Sequence, residues 1–145
     1  MANKLLLTIS ALSAPMLLTG CAAGGTSANA DALSPRQLAL LDTHLGGKVA
    51  GEPVACINSA QAADTIRVSD NILLYRVSGN LVYKNELRQG CPGLARDNDI
   101  MVSNVHGSGP CRGDIVNLVD RSTGIGGPSC VLGEFTPYRT ARSSQ

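Results

Sequence analysis

Between Val54 and Tyr138 apolar residues tend to recur at every second position, and this period of two constrains the fold more than any other feature of the chain. The segments VACI at 54–57, TIRV at 65–68, ILLYRV at 72–77, LVYKNEL at 81–87, IMVSNV at 100–105, DIVNLVD at 114–120 and CVLGEFTPY at 130–138 are short, β-branched and alternating. Turn-forming residues separate them: SDN at 69–71, SGN at 78–80, CPG at 91–93, HGSGPCRG at 106–113 and STGIGGPS at 122–129. Connections this tight join antiparallel neighbours. The pattern therefore predicts a mainly β domain, with five to seven strands in an antiparallel sheet that curls into a small barrel or sandwich. The clearest pair is the hairpin from Ile72 to Leu87. Its first strand is apolar on both faces except at Arg76, which places it centrally. Its second puts Leu81, Tyr83 and Leu87 on one face and Val82, Lys84 and Glu86 on the other.

One short helix precedes the strands. In LSPRQLALLDTHLGG, Ser34 is a natural N-cap, Pro35 suits the first helical position and Gln37 completes a capping box. Leu33 and Leu38 stand where a hydrophobic staple needs them, and Gly46 is placed to end the helix. Leu38, Leu41 and Leu45 share a face and are expected to point inward, while His44 suits the negative end of the helix dipole.

The core available to such a domain is small. With one Phe, three Tyr and no Trp, it must be built from Val, Leu and Ile. Covalent staples then matter, and the chain has five cysteines: Cys21, Cys56, Cys91, Cys111 and Cys130. The last four form an even set whose spacing contains no Cys-x-x-Cys knuckle, and His44 and His106 are not near-spaced partners, so zinc is disfavoured against two disulfides. Each bridge restricts the unfolded chain by about 3 kcal/mol. Three pairings are open, and loop closure favours Cys91 with Cys111, leaving Cys56 with Cys130.

Cys21 is the odd one, and its surroundings explain it. Residues 1–20 carry one positive charge at Lys4, an apolar run from Leu5 to Leu18 and the small residues Thr19 and Gly20, which is the build of a secretory signal peptide. The run is broken by Ser10, Ser13 and Pro15 and falls short of the ~20 apolar residues that a bilayer core requires. LTGC at 18–21 resembles the lipobox of bacterial lipoprotein precursors. The resemblance implies lipidation of Cys21, cleavage between Gly20 and Cys21, and acylation of the new amino group, since two or three acyl chains hold a protein where one holds it only marginally. An ordinary signal peptide, cut among the small residues Ala28 to Ala30, is the competing reading. Ala22 follows the cysteine in place of the inner-membrane retention aspartate of enterobacterial lipoproteins, which implies the periplasmic face of the outer membrane. The expected organisation is a signal peptide at 1–20, a lipidated flexible tether at 21–33, one disulfide-stabilised β domain at 34–138 and a loose tail at 139–145.

Without Lys4 the remaining side chains balance at 11 basic and 11 acidic. A chain without net charge has no electrostatic case for nucleic acid. The expected partners are the membrane, reached through the N-terminal lipid, and an envelope protein, and no cofactor is expected.

Four motifs bear on catalysis or binding. VHGSGP offers His106 and Ser108, but not the Gly-x-Ser-x-Gly spacing of a nucleophile elbow. RDND places Asp97 and Asp99 like the start of a calcium loop, yet Val102 and Ser108 occupy the positions of its glycine and glutamate. RGD at 112–114 matches an integrin-binding tripeptide, and TGIGG lacks a phosphate-loop lysine. No acid/base pair or nucleophile stands out. The expected function is a non-catalytic binding or structural module, with a hydrolase acting near His106 as the alternative.

GCPGL, CRGD and CVLGEFTPY resemble a group of small proteobacterial lipoproteins of unknown function, over about residues 54–138. That likeness implies disulfides and a compact β domain, and brings no activity. The membrane-bound lysozyme inhibitors are similar in being small, lipid-anchored and disulfide-bearing. Their Ser-Gly-x-x-Tyr loop compares with SGNLVY here, where Tyr83 falls one residue late. A third reading, as an inhibitor of lysozyme or a protease, follows from that comparison.

Overall fold

A computed structural model describes residues 32–58, 64–104 and 107–141. Cys21, Gly20, most of the expected tether, His106 and residues 142–145 lie outside the described residues. Among those described, one helix, α1 (Pro35–Leu45), is followed by eight strands: β1 (Lys48–Ala50), β2 (Asp64–Arg67), β3 (Ile72–Ser78), β4 (Leu81–Glu86), β5 (Asp99–Ser103), β6 (Ile115–Asp120), β7 (Gly126–Val131) and β8 (Phe135–Thr140). Every pairing is antiparallel. The strands form a five-stranded sheet in the order β1-β8-β4-β3-β2 and a three-stranded sheet in the order β5-β6-β7. The domain is thus mainly β, a sandwich of two antiparallel sheets with one short helix and two disulfides.

Alternation decides what each face meets. Leu73 and Tyr75 on β3, Tyr83 on β4 and Phe135 on β8 pack with Val116 and Leu118 of β6 and with Leu94 and Leu132, forming the core between the sheets. Tyr75 and Phe135 meet edge to face, with centroids 5.4 Å apart. The opposite face of the large sheet offers Leu74 and Val82, which join Val68 in a second cluster with Leu40, Leu41 and Leu45 of the helix. β3 and β4 therefore bury both faces, which explains their dense apolar content. Arg67 links the sheets at one edge, its guanidinium donating to the Asp99 carbonyl at 2.6 Å.

The helix starts as its sequence dictates. The Ser34 hydroxyl accepts from the Gln37 amide at 3.4 Å, and the Gln37 side chain accepts from the Ser34 amide at 2.8 Å. Its half-buried stripe is displaced from the expected one, however. Leu38 is 54% exposed and Leu40 takes its place, because the face toward the sheet runs through Leu40, Leu41 and Leu45. At the other end the Lys48 ammonium donates to the His44 carbonyl at 2.8 Å, supplying a cation to the helix C-terminus.

Three expectations about strands need correction. VACI is not a strand: Val54 bridges to Phe135 of the large sheet, while Cys56 bridges to Cys111 beside the small one, so the segment crosses between sheets. CVLGEFTPY is two strands in different sheets, with the crossing at Leu132 to Glu134. Arg139 and Thr140, assigned to the tail, belong to β8 and pair with Val49 and Lys48 of β1.

The disulfide pairing also differs from the expected one. Cys56 bonds Cys111 and Cys91 bonds Cys130. Closeness along the chain is overruled by the crossing segments. Arg112 donates its amide to the Ala55 carbonyl at 2.6 Å and Ile57 donates to Pro110 at 3.0 Å, which sets Cys56 against Cys111. Cys91, at 0% exposure, and Cys130, at 3%, meet inside the core between the sheets.

The crossing at Gly133 is held by a buried amide. Asn85, fully buried on β4, donates to the carbonyls of Gly133 at 2.9 Å and Glu134 at 3.3 Å and accepts from the Gly133 amide at 3.1 Å. A Cβ at position 133 would run into the Glu86 carbonyl oxygen, so only glycine lets β8 close onto β4 here. Asn85→Ala strips all three bonds and leaves buried backbone groups unpaired; it is expected to lower stability by about 3 kcal/mol in urea unfolding. Under mild reductant without denaturant, mass mapping of alkylated thiols is expected to find Cys56 and Cys111 modified before Cys91 and Cys130. Cys56 is exposed and Cys111 half-buried, whereas the other pair is sealed.

Candidate functional site

The two crossing segments run side by side. Val54 and Phe135 exchange both backbone hydrogen bonds at 2.9 Å, Gly113 donates to Leu132 at 2.9 Å, and Leu132 donates to Asp114 at 3.0 Å. Beside them lies a cleft of about 490 Å³. Pro53 and Thr136 line it, Gly133 contributes backbone, and four charged residues converge on it: Glu86, Arg88, Arg112 and Glu134.

Each of these side chains has a fixed root. Arg112 follows the Cys56–Cys111 bridge and has its amide bonded to Ala55. Glu134 follows the clamped Gly133. Glu86 ends β4, and Arg88 comes just after the buried Leu87, its amide directed to the Val131 carbonyl at 3.5 Å. The Arg112 guanidinium pairs with Glu134 at 2.7 Å, with both side chains about half exposed, so the pair adds little to stability. Lys84 pairs with Glu86 at 2.7 Å and lies over the Tyr138 ring at 5.8 Å. Burial pulls the Lys84 ammonium down, but Glu86 and then Tyr138 outweigh it and hold it above its ordinary value.

The residues singled out in the sequence fall elsewhere or serve the fold. Gly20, Cys21 and His106 lie outside the described residues, and Ser108 is exposed on the loop before Cys111. Cys56, Cys91, Cys111 and Cys130 are all paired. In RGD, the Asp114 carboxylate accepts from the Cys111 amide at 2.8 Å while Arg112 turns into the cleft, so the tripeptide is a fastened turn. Asp97 is exposed and Asp99 opens β5. Among the described residues no group of three or more His, Cys, Asp and Glu is placed to hold a metal ion. The TGIGG stretch leads into β7, its turn closed by Asp120, whose carboxylate is held far below the usual range by hydrogen bonds from Ser122 and Thr123. SGNLVY is the β3–β4 turn running into β4, with Tyr83 buried in the core and not presented at a loop tip. Among the described residues no helix is long and apolar enough to cross a membrane.

Neither the cleft, assembled from dispersed residues, nor the burial of Tyr75 carries a signal in the linear sequence. The Tyr75 hydroxyl is buried without a hydrogen-bond partner among the described residues. Burial first, and the Asp114 carboxylate second, push its ionisation well above the ordinary tyrosine value.

Fold and cleft together define a class: a disulfide-crosslinked antiparallel β sandwich with a helix on its larger sheet and a charged cleft where the chain passes between sheets. The chain belongs to the family of unknown function DUF6491, whose sequence pattern matches residues 3–144. That span exceeds the residues 54–138 over which a family likeness was expected and takes in the LTGC segment. No curated protein and no solved structure matches the chain.

Tyr75 yields a prediction with a defined pH window. In the unfolded chain it ionises near pH ~10, whereas the folded protein keeps it neutral there, so its contribution is full below pH ~10 and is lost as the pH rises further. Tyr75→Phe is expected to hold or raise neutral-pH stability by up to about 1 kcal/mol. It is also expected to flatten the alkaline decline above about pH 10, followed by urea unfolding at stepped pH.

Proposed function

We propose that this chain is a lipid-anchored envelope protein, held through Cys21 at the periplasmic face of the outer membrane, whose β domain is a non-catalytic binding or structural module. The observation that carries the reading is the cysteine balance. Cys56–Cys111 and Cys91–Cys130 use every cysteine of the folded domain, which leaves Cys21, within LTGC, for a separate purpose. Disulfides persist in oxidising compartments, which agrees with export. The charged cleft is formed by strand ends and crossing segments on a crosslinked scaffold, a suitable base for a recognition surface.

Expression of the full chain in a Gram-negative host tests the anchor. The wild-type protein is expected in the outer-membrane fraction with incorporated palmitate. Cys21→Ala is expected to abolish labelling, block processing after Gly20 and remove the lipid-dependent membrane association. An unlabelled wild-type chain, or a variant processed as the wild type is, refutes the lipobox reading.

A further inference from the structure

The cleft carries two guanidiniums and two carboxylates, but they are unequally engaged. Glu134 already holds Arg112, and Glu86 already holds Lys84. Arg88 is exposed, and its guanidinium makes no ion pair among the described residues. The lining thus presents one uncommitted cation beside carboxylates that retain accepting capacity, on a base fixed by the Cys56–Cys111 bridge and the Asn85 clamp.

We propose that this cleft recognises a small zwitterion, an amino acid or a short peptide with both ends free, whose carboxylate seats on Arg88 and whose ammonium is drawn to Glu134 and Glu86. The proposal rests on the binding-module reading and supplies its ligand class. Three physical arguments support it. The planar guanidinium fork takes a carboxylate in two parallel hydrogen bonds. The formal charges of the lining cancel, so a multivalent anion attracted by the arginines is repelled by the neighbouring glutamates, whereas a zwitterion satisfies both signs. Finally, about 490 Å³ is room for a ligand of a few residues, and roots fixed before binding reduce the ordering cost.

Titration of the isotope-labelled full chain in detergent micelles, followed by amide chemical shifts, tests this with four probes: the dipeptide Ala-Ala, alanine, N-acetyl-Ala-Ala and inorganic phosphate. Ala-Ala is expected to produce saturable shifts at Arg88, Arg112, Gly133 and Glu134. N-acetylation, which removes the ammonium, is expected to weaken binding several-fold. Arg88→Gln is expected to weaken Ala-Ala binding by about tenfold or more, with an unchanged melting temperature because Arg88 supports no ion pair. Saturation by alanine as strongly as by Ala-Ala supports a free amino acid as ligand; saturation by Ala-Ala alone supports a short free peptide. Phosphate binding as tight as Ala-Ala, wild-type affinity in Arg88→Gln, or no saturation by either zwitterion overturns the proposal. A chain that fails these titrations yet incorporates palmitate at Cys21 overturns the ligand class and leaves the anchor standing.

Discussion

The sandwich depends on a side chain that is not hydrophobic. Where the chain leaves β7 and has not yet joined β8, its backbone belongs to neither ladder, and it makes that passage inside the protein. Asn85 supplies a donor and an acceptor at that point, so the Gly133 amide and carbonyl are paired although neither sheet reaches them. A leucine there would fill the space and leave both groups unsatisfied, at a cost that a core with so few aromatic residues could ill absorb. The clamp also fixes where Phe135 enters the large sheet, directly opposite Asn85 in register, and hence the edge-to-face contact with Tyr75. Glu134 sits one residue along and inherits its position in the cleft from the same bonds.

The elements governed by local patterning were readable from the sequence. The helix start follows from Ser34, Pro35 and Gln37, and the β3–β4 hairpin from alternation on either side of a tight turn. What alternation does not encode is the identity of the partner. A run that changes sheets alternates on either side of the change and only slips in phase, from buried Cys130 and Leu132 to buried Phe135 and Pro137. A slip of one residue is too small a break to keep the run ending at Tyr138 from reading as continuous. β1 is three residues long and has too few positions to show a period. β7 opens with Gly126, Gly127 and Pro128, residues typical of turns, yet it lies at a sheet edge, where proline is tolerated.

The same distinction separates the proposed anchor segment from the cleft. A lipidation signal is read by processing enzymes as a linear segment, so its residues are contiguous and visible before any fold exists. The cleft is assembled from four places on the chain, at Glu86 and Arg88, at Arg112, at Glu134, and at Pro53, and none of these carries a local signature. Arg112 did fall within a recognisable tripeptide, but for an unrelated reason. Asp114 is tied to the Cys111 amide, and Arg112 is turned toward Glu134. The three residues spell a motif whose two charged ends have separate duties in the fold.

The two disulfide loops are interleaved: the first runs from Cys56 to Cys111 and the second from Cys91 to Cys130, so that each contains one cysteine of the other. Together they cover the chain from Cys56 to Cys130 without a gap. A single proteolytic cut anywhere in that span therefore leaves two fragments still joined covalently, and a cut between Cys91 and Cys111 leaves them joined twice. Wherever such a domain meets a protease, backbone scission and loss of the molecule are separate events.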